Sequence, residues 1–114
     1  MNSMAEQESG TLLQRLIARQ SFEGSWEAIH KLPYDEMKLD RDAASLAGAQ
    51  LAESNADQIL ATAIVVLFLE KKMQDEKETW ELVVEKARAW LESEVAENVL
   101  ARVWQLAEGI VGKN

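Results

Sequence analysis

Cysteine is absent from the 114-residue chain, and with it go disulfides, thiolate nucleophiles and sulfur-built zinc sites. Without disulfides the chain has no need of an oxidising compartment, so the cytoplasm is the expected location. Histidine occurs once, at His30. Any metal site would therefore be all-oxygen, and a general base at His30 would find no recognisable serine or thiol nucleophile to activate. Glycine occurs five times, and Gly10, Gly24 and Gly48 stand isolated, so no loop built to cradle phosphate is present. Basic residues are outnumbered, 12 against 20 acids, for a net charge of −8. That balance repels nucleic-acid backbones and anionic membranes, and neither is an expected partner. Long apolar runs are missing too. The longest, Ile59 to Leu69, has eleven residues with Thr62 inside it, whereas a membrane-crossing helix takes roughly 20.

What is present is helical. Apolar residues make up 47% of the chain and charged residues 28%, a globular balance too apolar for disorder. Ala, Leu, Glu, Lys, Gln and Arg dominate after position 40, which predicts an all-α, single-domain compact bundle of five to six helices. MNSMAEQESG, residues 1–10, is polar and acidic, unlike a signal peptide, and reads as a flexible leader to a helical interaction domain spanning 11–112. Thr11 is the expected N-cap of LLQRLIARQ, which ends near Gln20. Ser25 is expected to cap a short helix, WEAIHKL, that Pro33 stops. YDEMKLDRD, residues 34–42, is ambiguous. Asp40 or Asp42 is expected to cap AASLAGAQLAES, whose small residues suit close packing.

Asn55 is the expected cap of ADQILATAIVVLFLEKKMQ, apolar all round and hence central, with a strand over IVVLFLE as the rival reading. Ile64, Leu67 and Phe68 are expected core residues of this segment. DEKETWELVVEKARAWLES carries one apolar stripe through Trp80, Val83, Val84, Ala87, Trp90 and Leu91, with Trp80, Val84 and Trp90 expected in the core. A last helix, Val95 to Ile110, repeats the pattern through Val103, Trp104 and Ala107.

No catalytic residue, metal site or cofactor is expected. His30 reads as an exposed or packing residue. Asp35, Glu36, Asp40 and Asp42 lack the glycine and terminal glutamate of a calcium loop and read as a solvated acidic link. Four tryptophans against one tyrosine and two phenylalanines are unusual. Three fall on helix stripes. Trp26 instead closes QSFEGSW, residues 20–26, a Q-x3-G-x-W arrangement that resembles the QW motif of terpenoid cyclases. Those enzymes need several hundred residues and repeated copies, so only the local physics is carried over. Gln20, Phe22, Gly24 and Trp26 form an expected structural corner, with Gln20 satisfying free amides at the next helix and Phe22 and Trp26 as apolar anchors.

In order, LLQRLIARQSFEGSWE, ILATAIVVLFLE and ETWELVVEKARAWL resemble the C-terminal helical region of proteins that carry a VIT domain and a von Willebrand factor A domain. Their pattern runs from a leucine-rich helix through LQxxDGSW and TALALxFLE to WxLLxxKAxxWL. The resemblance covers about residues 11 to 92. Glu23 stands where the family often has aspartate and Arg19 where it often has leucine, and residues 34–54 do not align. It implies a small non-catalytic interaction module at the end of a longer protein. A related region of the vault poly(ADP-ribose) polymerase attaches that enzyme to the major vault protein, which makes a protein of that kind the implied partner. If the last helix is the docking face, Val103, Trp104 and Ala107 are the candidate partner-binding residues, tryptophan being favoured at hot spots. The alternatives are a terminal domain packing on its own chain, an acidic bundle that homo-oligomerises, and an enzymatic domain, which would need a cavity with acids beside aromatics.

Overall fold

The computed structural model describes residues 10–112, so the leader expected over 1–10 lies, apart from Gly10, outside the described residues. Among the described residues, six α-helices and two single 3₁₀ turns make up the bundle, and no strand is found. The helices are α1 (Leu12–Ala18), α2 (Tyr34–Met37), α3 (Arg41–Ala49), α4 (Ala56–Lys72), α5 (Lys77–Glu94) and α6 (Glu97–Val111). The 3₁₀ turns are Ile29–Lys31 and Gln74–Glu76. The β-rich run IVVLFLE is therefore helical. It lies at the centre of α4, where every residue from Ile59 to Leu69 is buried. α4 packs most extensively on α6 and α5, and also meets α3 and the Ile29–Lys31 turn. Such a helix needs apolar side chains on all faces, because neighbours surround it. Ile64, Leu67, Phe68, Trp80, Val84 and Trp90 all lie in the core.

The helix ends follow local chemistry in some places and tertiary demand in others. The Thr11 hydroxyl accepts from the Gln14 amide at 3.1 Å while the Gln14 carboxamide accepts from the Thr11 amide at 2.9 Å, a reciprocal capping box. Asp40, not Asp42, caps α3, accepting from the amides of Asp42 and Ala43. On α3 the small residues Ala44, Ala47 and Gly48 are buried, and a Cβ at Gly48 would lie 2.9 Å from Ile29 Cδ1. That close approach is what the small residues permit.

Two expected caps are not made. Asn55 makes no side-chain cap on α4; its side-chain Nδ2 donates to Glu94 Oε1 at 3.1 Å, tying the start of α4 to the end of α5. Ser25 caps nothing, and WEAIHKL does not become a helix. Only Ile29–Lys31 forms a 3₁₀ turn, preceded by extended Ala28 at φ −161°. The Trp26 amide is taken by Thr62 on α4, the Ser25 hydroxyl is used within the corner, and Leu32 stands before Pro33, which disfavours helical geometry. The ambiguous 34–42 segment contains the single-turn helix α2, which Lys38 ends in a left-handed conformation at φ 61°.

Candidate functional site

The corner is built from polar residues that sequence periodicity ignores. Ser21 and Ser25 clasp the loop: the Ser21 amide donates to the Ser25 carbonyl at 2.7 Å, the Ser25 amide donates to Ser21 Oγ at 3.0 Å, and their hydroxyls lie 2.9 Å apart. Gln58 Nε2 on α4 donates to Ser25 Oγ at 2.8 Å. Thr62 donates to the Gln58 carbonyl and accepts from the Trp26 amide at 2.9 Å. The Trp26 indole N–H reaches the Leu16 carbonyl of α1 at 2.9 Å. Ser25 and Thr62 are both completely buried, and each is satisfied, as burial of polar groups demands. Thr62, Gln58 and Ser21 did not stand out in the sequence. The signal was there for Thr62, since a hydroxyl inside an apolar buried run has to find a partner.

Gln20 plays a different part from the one expected of it. It satisfies carbonyls rather than helix-start amides: its Nε2 donates to Gly24 O at 3.0 Å and to Val83 O of α5 at 2.9 Å. Gly24 holds φ +116°, and a Cβ there would fall 2.7 Å from the Lys86 carbonyl oxygen, so the loop backbone lies directly on α5. Trp26 is the anchor, buried to 1% exposure. Phe22 is not an anchor; it is 93% exposed and points away from the core that Trp26 fills. The four corner residues thus divide into three that pin the loop to α1, α4 and α5 and one that the pinned loop holds out.

The candidate partner-binding residues of α6 also sort differently. Val103 and Ala107 are fully buried against the bundle and cannot meet a partner. Trp104 is half-buried, and the Arg88 guanidinium covers its ring at 4.8 Å from the centroid while binding Glu70 at 2.8 Å. The α6 stripe faces inward because α4, α5 and α3 all take their packing from it.

Among the described residues the exposed large apolar side chains are Leu46 on α3 and, beside the corner, Phe22 and Leu82. Leu82 on α5 is 77% exposed, and Lys86, one turn later on the same face, places its Nζ 5.2 Å from the centroid of the Phe22 ring. Gln20 bonded to Val83 O and Gly24 against Lys86 O fix the loop alongside this turn of α5, with the Phe22 ring near Lys86 Nζ and Leu82 one turn before Lys86 on the helix.

Several clefts border the bundle, and two of them adjoin a tryptophan. One of about 460 Å³ is lined by Arg19, Trp26, Glu27, Ala28, Lys31 and Leu32, and offers charge and apolar surface without a hydroxyl, thiol or imidazole. The other, about 430 Å³, sets Glu70, Glu81 and Glu85 beside Trp80. Its Glu70 is bound by Arg88 and its Glu81 faces Lys77 at 4.0 Å, so two of the three carboxylates are already paired. His30 is exposed on the Ile29–Lys31 turn. Among the described residues no group of three or more His, Asp or Glu side chains converges as metal ligands, and no helix is long and apolar enough to cross a membrane. Asp40 is spent on its helix cap and Glu36 on a bidentate pair with Arg15, whose hydrogen bonds hold the Glu36 carboxyl below the usual carboxylate range. Compared with known proteins, the chain matches no family model, no curated protein and no solved structure, so the geometry of the corner is what its function has to be read from.

Proposed function

We propose that the domain is a non-catalytic protein–protein interaction module that presents Phe22 as a pre-formed aromatic anchor. The observation that carries this reading is the contrast within seven residues: Phe22 is 93% exposed on a loop that Gln20, Ser25 and Trp26 hydrogen-bond to three helices. An aromatic ring left in water forgoes about 1.5–3 kcal/mol of burial, which a partner can supply. A loop already fixed spends little entropy on being ordered when that happens. Aromatic anchors of this kind concentrate binding energy at interfaces.

The finer form of the proposal comes from the VIT and von Willebrand factor A resemblance: a C-terminal targeting or scaffolding module that docks to a large assembly such as the vault. A cysteine-free chain suits a reducing compartment, and the cytoplasm is the proposed location. The test is capture with the domain as bait beside Phe22→Ser and Trp104→Ala baits, followed by a direct binding measurement with purified major vault protein. A stoichiometric partner lost with Phe22→Ser, at an unchanged melting temperature, supports the module. Binding of major vault protein that depends on Phe22 supports the finer form. A partner that Phe22→Ser retains and Trp104→Ala loses would return the interface to α6.

A further inference from the structure

We infer that the surface recognised at this face is a basic amphipathic peptide segment, laid along the outer side of α5 with its apolar residues on Phe22 and Leu82. This rests on the interaction reading above and adds the chemistry of the partner. The apolar pair is small, so the charges around it decide what can approach. On the helical surface Leu82 neighbours Glu78 at i−4, Glu85 at i+3 and Lys86 at i+4, and all three are exposed. Glu23, exposed, directly follows Phe22. Among the described residues Glu23, Glu78 and Glu85 make no ion pair, whereas the one cation at the centre, Lys86, already stands over the Phe22 ring. The patch is therefore two apolar side chains with an acidic rim.

That rim selects among occupants. A second copy of the chain would bring a net charge of −8 toward a net charge of −8, acid rim to acid rim. An anionic membrane or a nucleic acid is repelled in the same way. A segment with Lys or Arg flanking apolar residues at helical spacing meets both features together, since its apolar stripe covers Phe22 and Leu82 while its cations reach Glu23, Glu78 and Glu85.

The probe is a display library of random peptides selected on the immobilised domain. Selected peptides are then measured by fluorescence anisotropy against wild type, Phe22→Ser, Leu82→Ser and the double variant Glu78→Lys/Glu85→Lys, with Glu97→Lys on α6 as the charge control. The expected binders carry net positive charge and spaced apolar residues. Each apolar variant weakens them about tenfold or more, corresponding to ~1.4 kcal/mol of lost anchor burial. The double charge variant weakens them and removes most of the salt dependence, and Glu97→Lys does neither. Binders that need Phe22 but carry no positive charge would overturn the partner chemistry and leave the module standing. A selection that yields no Phe22-dependent binder would overturn both. Self-association in sedimentation velocity that Phe22→Ser abolishes would make a second copy the occupant and overturn the basic-segment assignment. Because Phe22 and Leu82 are exposed, their serine variants keep the wild-type melting temperature, which separates lost binding from lost folding.

Discussion

Trp26 and Tyr34 are the two largest fully buried side chains, and they are buried on opposite terms. Trp26 fills its site with both polar hydrogens bonded, one to Thr62 and one to the Leu16 carbonyl. Trp26→Ala is expected to cost roughly 3–5 kcal/mol in urea unfolding, through the cavity and the orphaned partners. A loss under ~1 kcal/mol would mean that the corner repacks without it. Tyr34 is 1% exposed with a hydroxyl that has no partner among the described residues. Burial pushes its phenol up to about 12; Arg41, 4.9 Å from the ring centroid, pulls it down, and Asp57 adds to the rise. Below pH about 10 the phenol is protonated in folded and unfolded chains alike. Between about 10 and about 12 the unfolded chain sheds its proton first, so stability falls by roughly 2–3 kcal/mol across that window. Tyr34→Phe is expected to gain about 1 kcal/mol at neutral pH, by removing an unpaired hydroxyl, and to lose less than wild type by pH about 11. Urea melts of both proteins at the two pH values check this, and a Phe variant less stable at neutral pH would mean that the hydroxyl is satisfied in solution.

Between helices, the caps separate residues that were legible from residues that were not. Thr11 and Asp40 satisfy orphan amides, and each is expected to cost about 1 kcal/mol on substitution by alanine. Asn55→Ala is expected to cost less than ~0.5 kcal/mol, because its side chain makes only an exposed bond to Glu94. Thermal melts of the three variants test the ordering, and an Asn55 effect as large as that of Asp40 would show that the side chain caps α4 in solution. The same contrast explains the missing second helix. Ser25 has the chemistry of a cap, but Gln58 and Ser21 hold its hydroxyl from outside the segment.

Across the molecule, stability is centred on α4. Eleven consecutive buried residues there meet α3, α5, α6 and the Ile29–Lys31 turn, so its amides should exchange only on global unfolding. α2, a single turn, and the Ile29–Lys31 turn should open locally and exchange far faster. Native-state hydrogen exchange reads this directly; Ile59–Leu69 amides exchanging as fast as those of Tyr34–Met37 would contradict a central α4.

The amino-acid pattern by itself determined the all-α class, the central burial of Ile59–Leu69, the α5 stripe through Trp80, Val84 and Trp90, and the cap at Thr11, because each depends on spacing or on a partner within a few residues; it left the α3 cap between Asp40 and Asp42, and the fold uses Asp40. Direction along a stripe was decided only by tertiary packing. Val103 and Ala107 looked like an interface and are core, since periodicity shows that a face is apolar and not what covers it. Phe22 and Trp26 looked alike, two aromatics four residues apart in one loop. Their fates diverged because Gln20, Ser21, Ser25, Gln58 and Thr62, spread over 43 positions of chain and joined only on folding, fix the backbone so that one ring enters the core and the other stands in solvent.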